Sequence, residues 1–288
     1  MKTLLHYKNK TFFYQSGLFL FFVLYALFGW YKNGLQYVFL SKMSFSHTLS
    51  LIVLPLCLTG IQIVNLLFLK KETLLKKMNL GFFFLLVMPV KLNIFLKLSF
   101  LFVFLGLDYI VNRKSKKVES QSFFKTFLII FCLFKGFGLE NEIESLGRPL
   151  YGLTDYLFGF SIGSFGTTSF FLTFLLYLFL TTDFYYKKDI PLMLGGFYLL
   201  LTFLYLTFFH LSLDMALLLN SSFLFGSTLL VLENEWTPVL KQEKIIFCFL
   251  VSLGTLLLTI YKINEGIYIS FWVFSLLYRG YEKIRYKS

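Results

Sequence analysis

Apolar segments long enough to cross a bilayer recur along the whole chain. A transmembrane helix needs about 20 mostly apolar residues, and it must satisfy its own backbone hydrogen bonds inside lipid. Counting the flanks of 170–180, seven segments qualify: 12–30, 48–69, 93–111, 170–180, 191–211, 215–232 and 245–261. Three more are short or interrupted by Pro or Lys: 80–90, 123–137 and 266–278. The sequence therefore predicts an all-α, polytopic integral membrane protein with about ten transmembrane helices.

The composition excludes the soluble classes of protein. Hydrophobic residues make up 57% of the 288 residues and charged residues only 15%, whereas a soluble domain has roughly a quarter. Too few polar side chains remain to cover a surface in water. The net charge of +12 arises from basic clusters between apolar segments, which is typical of loops facing an anionic lipid leaflet. We therefore expect a lipid bilayer as the partner of this surface, and no nucleic acid.

The positions of Lys and Arg predict the orientation in the membrane. With ten spans and a cytoplasmic N-terminus, most of the 27 basic residues fall on the inner side. Five fall on the outer side: Lys32, Lys42, Lys91, Arg148 and Lys262. Because cytoplasmic loops carry an excess of Lys and Arg, we expect a multi-pass protein of the inner (plasma) membrane with both termini cytoplasmic.

Ten spans divide into two sets of five. Because each set has an odd number of spans, the second set would cross the membrane in the opposite orientation to the first. The sequence thus predicts one transmembrane domain over 1–288 with two inverted five-helix repeats. The first five spans cover about 12–137, an outer loop about 138–164, and the second five spans about 165–278. Inverted repeats place the functional site near the midplane, often where spans are short or broken. The third span of each set has such a feature, namely Pro89 in the first set and Asn220 with Ser221 in the second.

The end of the outer loop is rich in glycine and hydroxyl residues between positions 159 and 169. Glycine lets a backbone approach a ligand closely, and hydroxyls with free amides at a helix start bind anions. The structural alternative is a re-entrant turn in which Thr or Ser caps the next span. The pattern alone favours neither interpretation. No cysteine or histidine spacing indicates a metal site.

Motifs in this loop and beyond it match a known family in order and spacing over roughly 145–277. The chain reads S-L-G-R-P-L at 145–150, D-Y-L-F-G at 155–159 and G-S-F-G-T-T-S at 163–169. These resemble S-G-A-T-P-L, D-L-F-x-G and G-S-I-G-E-T-S of the membrane subunits RnfD and NqrB. Those subunits belong to the Rnf electron-transport complexes and the sodium-translocating NADH:quinone reductase. The segments 226–238 and 265–270 resemble two further motifs of that family.

The resemblance implies a flavin site. In the family, the Thr of S-G-A-T carries FMN through a phosphoester, but this chain has Arg148 there. Arginine has no hydroxyl, so a covalent FMN is not expected, and FMN or riboflavin would be bound non-covalently. The Arg148 guanidinium is suited to pairing with a flavin phosphate. The implied cofactor-binding residues are Ser145, Arg148, Gly163, Ser164, Gly166, Thr167 and Thr168, and the implied ion path includes Asn220, Ser221 and Glu233.

Two functions remain open at this point. The resemblance implies a divergent membrane subunit of an ion-translocating electron-transport complex, which couples electron transfer through flavins to ion movement. Its partners would be other membrane, flavin and iron–sulfur subunits, and it would have no catalytic residue and no activity alone. The alternative is a stand-alone small-solute transporter or channel with inverted repeats, like the urea and ammonium channels, because one fold hosts many functions.

Overall fold

The structure is a computed structural model, and its regular elements are helical wherever it describes the chain. It describes 2–35, 79, 81–83, 86, 87, 99, 103, 153–160, 167–183, 186–210, 215–231, 237–261, 263 and 266–285. The chain divides into two compact units. Unit 1 comprises Met1–Glu144 with Ser164–Thr167, and unit 2 comprises Ser145–Gly163 with Thr168–Ser288. The predicted helical class is confirmed.

Three helical segments are long and apolar enough to cross a membrane: Phe13–Asn33, Asp189–Phe208 and Lys241–Ile260. They coincide with the predicted segments 12–30, 191–211 and 245–261, which are the first, seventh and ninth spans in chain order. The helix Phe170–Leu180 is apolar but shorter, and it coincides with the sixth. The second and fifth predicted spans, 48–69 and 123–137, lie outside the described residues. Most of the third and fourth, 80–90 and 93–111, lie outside them as well. The total of ten spans, the single domain and the inverted repeats stay predictions.

Unit 1 is built on helix α1, Lys2–Trp30, which continues as a π-helical turn over Tyr31–Leu35. Leu18, Phe22 and Tyr25 are buried and recur at the spacing of one helix face. That face packs against the helical residues near 82, where the rings of Phe19 and Phe82 meet edge to face at 5.4 Å. Aromatic packing therefore joins α1 to the described helical residues around Phe82.

Unit 2 contains seven helices within its described ranges. They are α2 (Leu153–Phe158), α3 (Phe170–Leu180), α4 (Asp189–Phe208), α5 (Met215–Leu218), α6 (Ser221–Leu230), α7 (Lys241–Ile260) and α8 (Gly266–Arg285). Helices α4 and α7 run parallel, because Asp189 pairs with Lys244 at 2.6 Å and the Leu194 carbonyl accepts from Ser252 Oγ at 3.0 Å. This matches the orientation expected of the seventh and ninth spans.

Small residues allow the helices of unit 2 to approach closely. A Cβ built at Gly226 of α6 would lie 2.7 Å from Ile267 of α8, and one at Gly254 of α7 would lie 3.0 Å from Ser270 Oγ. In a bilayer, association of helices depends on such close packing because the lipid is as apolar as the side chains. Glycine at 226 and 254 therefore sets how tightly α8 packs on α6 and α7.

The predicted eighth span is not one continuous helix. Helix α5 ends at Leu218, and Asn220 has an extended backbone with φ −63° and ψ 99° before α6 starts at Ser221. Helix α6 has 10 residues and is about 15 Å long at 1.5 Å per residue, half the thickness of the hydrocarbon core. The break falls where the sequence placed polar residues in the middle of an apolar segment.

Candidate functional site

Asn220 lies at the break in the eighth span and caps α6. Its Oδ1 accepts a hydrogen bond from the backbone N–H of Phe223 at 3.1 Å. Asparagine is among the preferred N-cap residues because its short side chain reaches the unpaired amides of the first turn. Asn220 is buried, so this cap lies inside the unit rather than at its surface.

The amide nitrogen of Asn220 reaches helix α7. Its Nδ2 lies 3.4 Å from Thr259 Oγ1, and that hydroxyl donates to the Thr255 carbonyl at 2.9 Å. The Thr255 hydroxyl in turn donates to the Val251 carbonyl at 2.7 Å and is fully buried. Uncharged oxygen atoms thus extend from the break along one face of α7.

Tyr198, halfway along α4, contacts both sides of the break. Its hydroxyl donates to the Leu217 carbonyl at 2.9 Å, just before the break. Its ring stacks on Phe223, just after the break, with 4.1 Å between the ring centroids and 19° between the planes. The break is therefore enclosed by α4 on one side and α7 on the other.

The buried side chains of unit 2 are mostly apolar, and those that are polar are uncharged in the ranges described. Its buried polar side chains are Thr168, Ser169, Thr173, Thr202, Asn220, Ser222, Ser227, Thr228, Thr237, Ser252, Thr255, Ser270 and Ser275. Hydroxyl, amide and carbonyl oxygens are ligands for hard cations, but divalent ions usually require carboxylates as well. Within the described residues, no group of three or more His, Cys, Asp or Glu could hold a metal ion. The described part of unit 2 therefore offers neutral oxygen atoms rather than a cluster of charged ligands.

The glycine-rich loop closes on itself at Gly159. Helix α2 ends there with φ +90°, and Thr168 Oγ1 donates to the Gly159 carbonyl at 2.7 Å. Ser169 then caps α3, because its Oγ accepts from the Leu172 N–H at 3.2 Å. The cap expected under the structural alternative is therefore present at Ser169, while residues 161–166, where the re-entrant turn was predicted, lie outside the described residues. Thr168 is buried and its hydroxyl is bonded within the fold.

Basic and acidic side chains gather at the other end of unit 2. Lys187 donates to the Thr237 carbonyl at 2.9 Å and to Thr237 Oγ1 at 2.7 Å, while Arg285 pairs with Glu243 at 2.8 Å. Burial lowers the pKa of Lys187, and the nearby Lys244 charge adds to this, whereas Asp189 and Glu282 oppose it. The three segments predicted to be cytoplasmic, around 187, 243 and 285, are thus brought together.

Not all of the predicted site residues fall in described ranges. Ser145, Arg148, Gly163, Ser164, Gly166 and Glu233 lie outside them, as does the side chain of Ser221, the first residue of α6. Thr167 and Thr168 are both fully buried. The flavin assignment of the loop residues stays a prediction. Asn220 is the predicted residue that the structure places in a defined polar setting at a helix break.

Sequence reasoning missed Tyr198 and Thr259, which contact the break from α4 and α7. Both lie in apolar segments where a hydropathy count treats them as ordinary span residues. A weak signal existed in α4, because Tyr198 and Thr202 follow Leu194 at four-residue spacing and so share a helix face. All three are buried.

No family model matches this chain, and no curated protein and no solved structure matches it either.

Proposed function

We propose that this protein is a membrane transport subunit that passes a small cation through unit 2 at the broken eighth span. The observation that carries the proposal is the break itself, with Asn220 buried at its centre. A continuous helix satisfies its backbone within itself, whereas at this break the backbone groups of Leu217 and Phe223 are bonded by side chains, Tyr198 and Asn220, that a ligand can compete with. Transporters use such discontinuous helices to bind substrates and coupling ions near the midplane.

The chemistry around the break favours a cation of low charge. The Asn220 amide and the Thr259 and Thr255 hydroxyls carry no charge, so hydroxyl oxygens at this place would replace part of a hydration shell without holding an ion too tightly. A divalent ion would lack the carboxylate ligands it usually needs. Sodium is a suitable probe because it is a small monovalent cation that binds oxygen ligands.

The redox part of the proposal depends on the sequence resemblance. A divergent Rnf/Nqr-type membrane subunit would couple this ion movement to electron transfer through flavins in a complex with iron–sulfur and other membrane subunits. Ser145, Arg148, Gly163, Ser164, Gly166, Thr167 and Thr168 would hold FMN or riboflavin without a covalent bond. The subunit would not be catalytic alone, and it would lie in the plasma membrane with both termini inside.

A second function is favoured by the same uncharged interior. A stand-alone transporter or channel for a small neutral solute needs hydrogen-bonding oxygens and no fixed charge along its path, which fits Ser252, Thr255 and Thr259 on α7. The two functions differ in their dependence on partners. The pump subunit needs its complex, whereas the stand-alone channel conducts by itself.

One experiment separates these functions. We expect membranes from cells with the intact gene to take up radioactive sodium when NADH or a reduced ferredoxin is supplied, and membranes from a deletion strain to take up much less. The purified chain alone in liposomes should conduct neither sodium nor urea. Full donor-driven uptake after deletion would contradict the pump proposal, and solute flux through the chain alone would favour the channel.

Asn220→Ser tests the role of the break directly. Serine is about as good an N-cap as asparagine, so α6 should remain capped, but the reach to Thr259 Oγ1 is lost. We expect donor-driven sodium uptake to fall by between about twofold and tenfold, the effect of losing one hydrogen-bonding group. The matched control is Asn33→Ala, which removes an Asn amide from a candidate span in unit 1 and should leave uptake unchanged. Equal uptake in the two variants would contradict the proposed path.

A further inference from the structure

Tyr198 holds the two sides of the break by different kinds of contact. The segment before the break is held by a hydrogen bond from the Tyr198 hydroxyl to the Leu217 carbonyl, which is directional and is lost once the two atoms separate. The segment after the break is held by stacking on Phe223, which depends on shared apolar area and tolerates sliding. Tyr198 is only 1% exposed, so water does not compete for this hydrogen bond in the arrangement that the structure shows.

The two helices beside the break differ in how firmly they are held. Helix α6 packs closely on α8 through Gly226, and its far end is bonded to the Tyr186 hydroxyl through the Thr228 carbonyl at 2.8 Å. Helix α5 has only four residues, Met215–Leu218, which is too short to be stable without outside contacts. It packs against α4 and α2, and the Leu217 carbonyl in its last turn accepts the Tyr198 hydrogen bond. The position of α5 relative to α6 therefore depends on contacts such as the Tyr198 hydrogen bond.

We propose that Tyr198 is a positioning residue whose hydrogen bond to Leu217 holds α5 against α4. We call this hydrogen bond the latch. With the latch formed, the break between α5 and α6 is closed to water, and when it is released α5 moves and the break opens. This inference rests on the proposed function, because the small cation is proposed to pass at the break that the latch holds closed. Water reaches the hydroxyl and the carbonyl once α5 moves away, so the hydrogen bond favours the closed arrangement by its net contribution only, a factor of about five. Release of the hydroxyl is therefore accessible at ambient temperature, while the stack on Phe223 keeps Tyr198 in place for closing again.

The test measures how accessible the break is, independently of transport. Ser222→Cys places a thiol in the first turn of α6, where the native Ser222 is buried. The reporter is made in the full-length chain after the native cysteines Cys57, Cys132 and Cys248 are replaced by alanine. The measured quantity is the rate at which a small, water-soluble methanethiosulfonate reagent modifies that thiol in the purified protein.

Tyr198→Phe removes the hydroxyl and retains the ring that stacks on Phe223. We expect it to raise the rate of thiol modification about fivefold, the factor by which the lost hydrogen bond favoured the closed arrangement. The matched control is Tyr205→Phe on the same helix, whose ring contacts Phe209 at 5.0 Å rather than the break. The control should leave the rate unchanged.

Equal rates for the Tyr198→Phe protein and its parent would overturn the latch. An equal increase in the rate of thiol modification in Tyr198→Phe and Tyr205→Phe would also overturn it, because that result would mean a general loosening of α4. The melting temperature of each variant is measured in parallel, and a fall of more than about 5 °C in Tyr198→Phe would identify the hydroxyl as a structural support instead.

The outcome separates the latch from the proposed function. A selective rise in thiol modification with no sodium uptake by the complex would support the latch and refute the transport proposal. Normal donor-driven uptake together with equal thiol rates would refute the latch and leave the transport proposal intact.

Discussion

Gly159, in the described part of the glycine-rich loop, has a backbone geometry that requires glycine. Its φ of +90° lies in the region that L side chains rarely adopt. A Cβ at this position would lie 2.6 Å from the backbone N and Cα of Ser169. Glycine was expected here to let the backbone approach a ligand, but in the described part of the loop it lets the backbone approach Ser169.

Gly159→Ala is expected to destabilise the protein by at least about 2 kcal/mol, because it adds backbone strain to a clash that no side-chain rotation relieves. That corresponds to a fall in melting temperature of at least about 4 °C for a chain of this size. Thermal unfolding of the detergent-purified protein measures it. Gly196→Ala is the control, since a Cβ there meets no atom within 4 Å. Similar melting temperatures for the two variants would contradict the close approach at Gly159.

At the scale of helices, two ion pairs join the ends of helices in unit 2. The Lys244–Asp189 pair joins the first turns of α7 and α4, with side-chain exposures of 16% and 41%. Arg285 pairs with Glu243 and so ties the end of α8 to the start of α7. Opposite charges therefore meet where the first turns of α4 and α7 lie side by side and where Arg285 of α8 reaches α7.

A double-mutant cycle with Asp189→Asn and Lys244→Met measures the first of these pairs. We expect a coupling free energy of about 0.5 to 1 kcal/mol, since the pair is only partly exposed and an exposed pair contributes less. The coupling should weaken in 1 M salt because salt screens the exposed side of the pair. A coupling near zero at low salt would show that apolar packing alone sets the register of α4 and α7.

The sequence predicted the longer helices of unit 2 within a few residues. Segments 191–211 and 245–261 correspond to Asp189–Phe208 and Lys241–Ile260, because the apolar length needed to span lipid is visible in one dimension. The tenth segment was predicted to end at 278, whereas α8 continues to Arg285. Its last turns are polar, and the Arg285–Glu243 pair supports them.

The break in the eighth span was less visible in the sequence. Apolar residues continue on both sides of Asn220, so hydropathy alone describes one span from 215 to 232. The signal was Asn220 itself, whose preference for capping positions competes with its place inside a helix. The Tyr198 and Thr259 contacts that surround the break left no comparable signal.

The two ends of unit 2 differ in their charged side chains. The segments around Lys187, Lys244 and Arg285 lie at one end, where they make the ion pairs and hydrogen bonds described above. The last turn of α7, near Thr259, lies away from that end, toward the carboxyl ends of α4 and α7, and the start of α6 contacts it there. An excess of basic residues marks a cytoplasmic face, so the orientation of this unit is a testable prediction.

Thiol labelling of intact cells tests that orientation. Lys188→Cys and Tyr261→Cys place thiols at exposed positions on the two ends of unit 2. We expect a membrane-impermeant reagent to label the thiol at 261 from outside and the thiol at 188 only after the cells are opened. The reverse pattern would contradict the cytoplasmic assignment, while labelling of both from one side would contradict the placement of the two ends.

By itself the sequence determined that this chain is helical and has segments able to span lipid, because that depends on apolar length and on backbone hydrogen bonds formed within each segment. The tertiary structure decided where a span breaks and what encloses the break. Tyr198 and Leu217 are 19 residues apart, and Asn220 and Thr259 are 39 apart. Contacts over such separations depend on how α4, α6 and α7 pack together, and the apolar pattern of each helix is compatible with many packings.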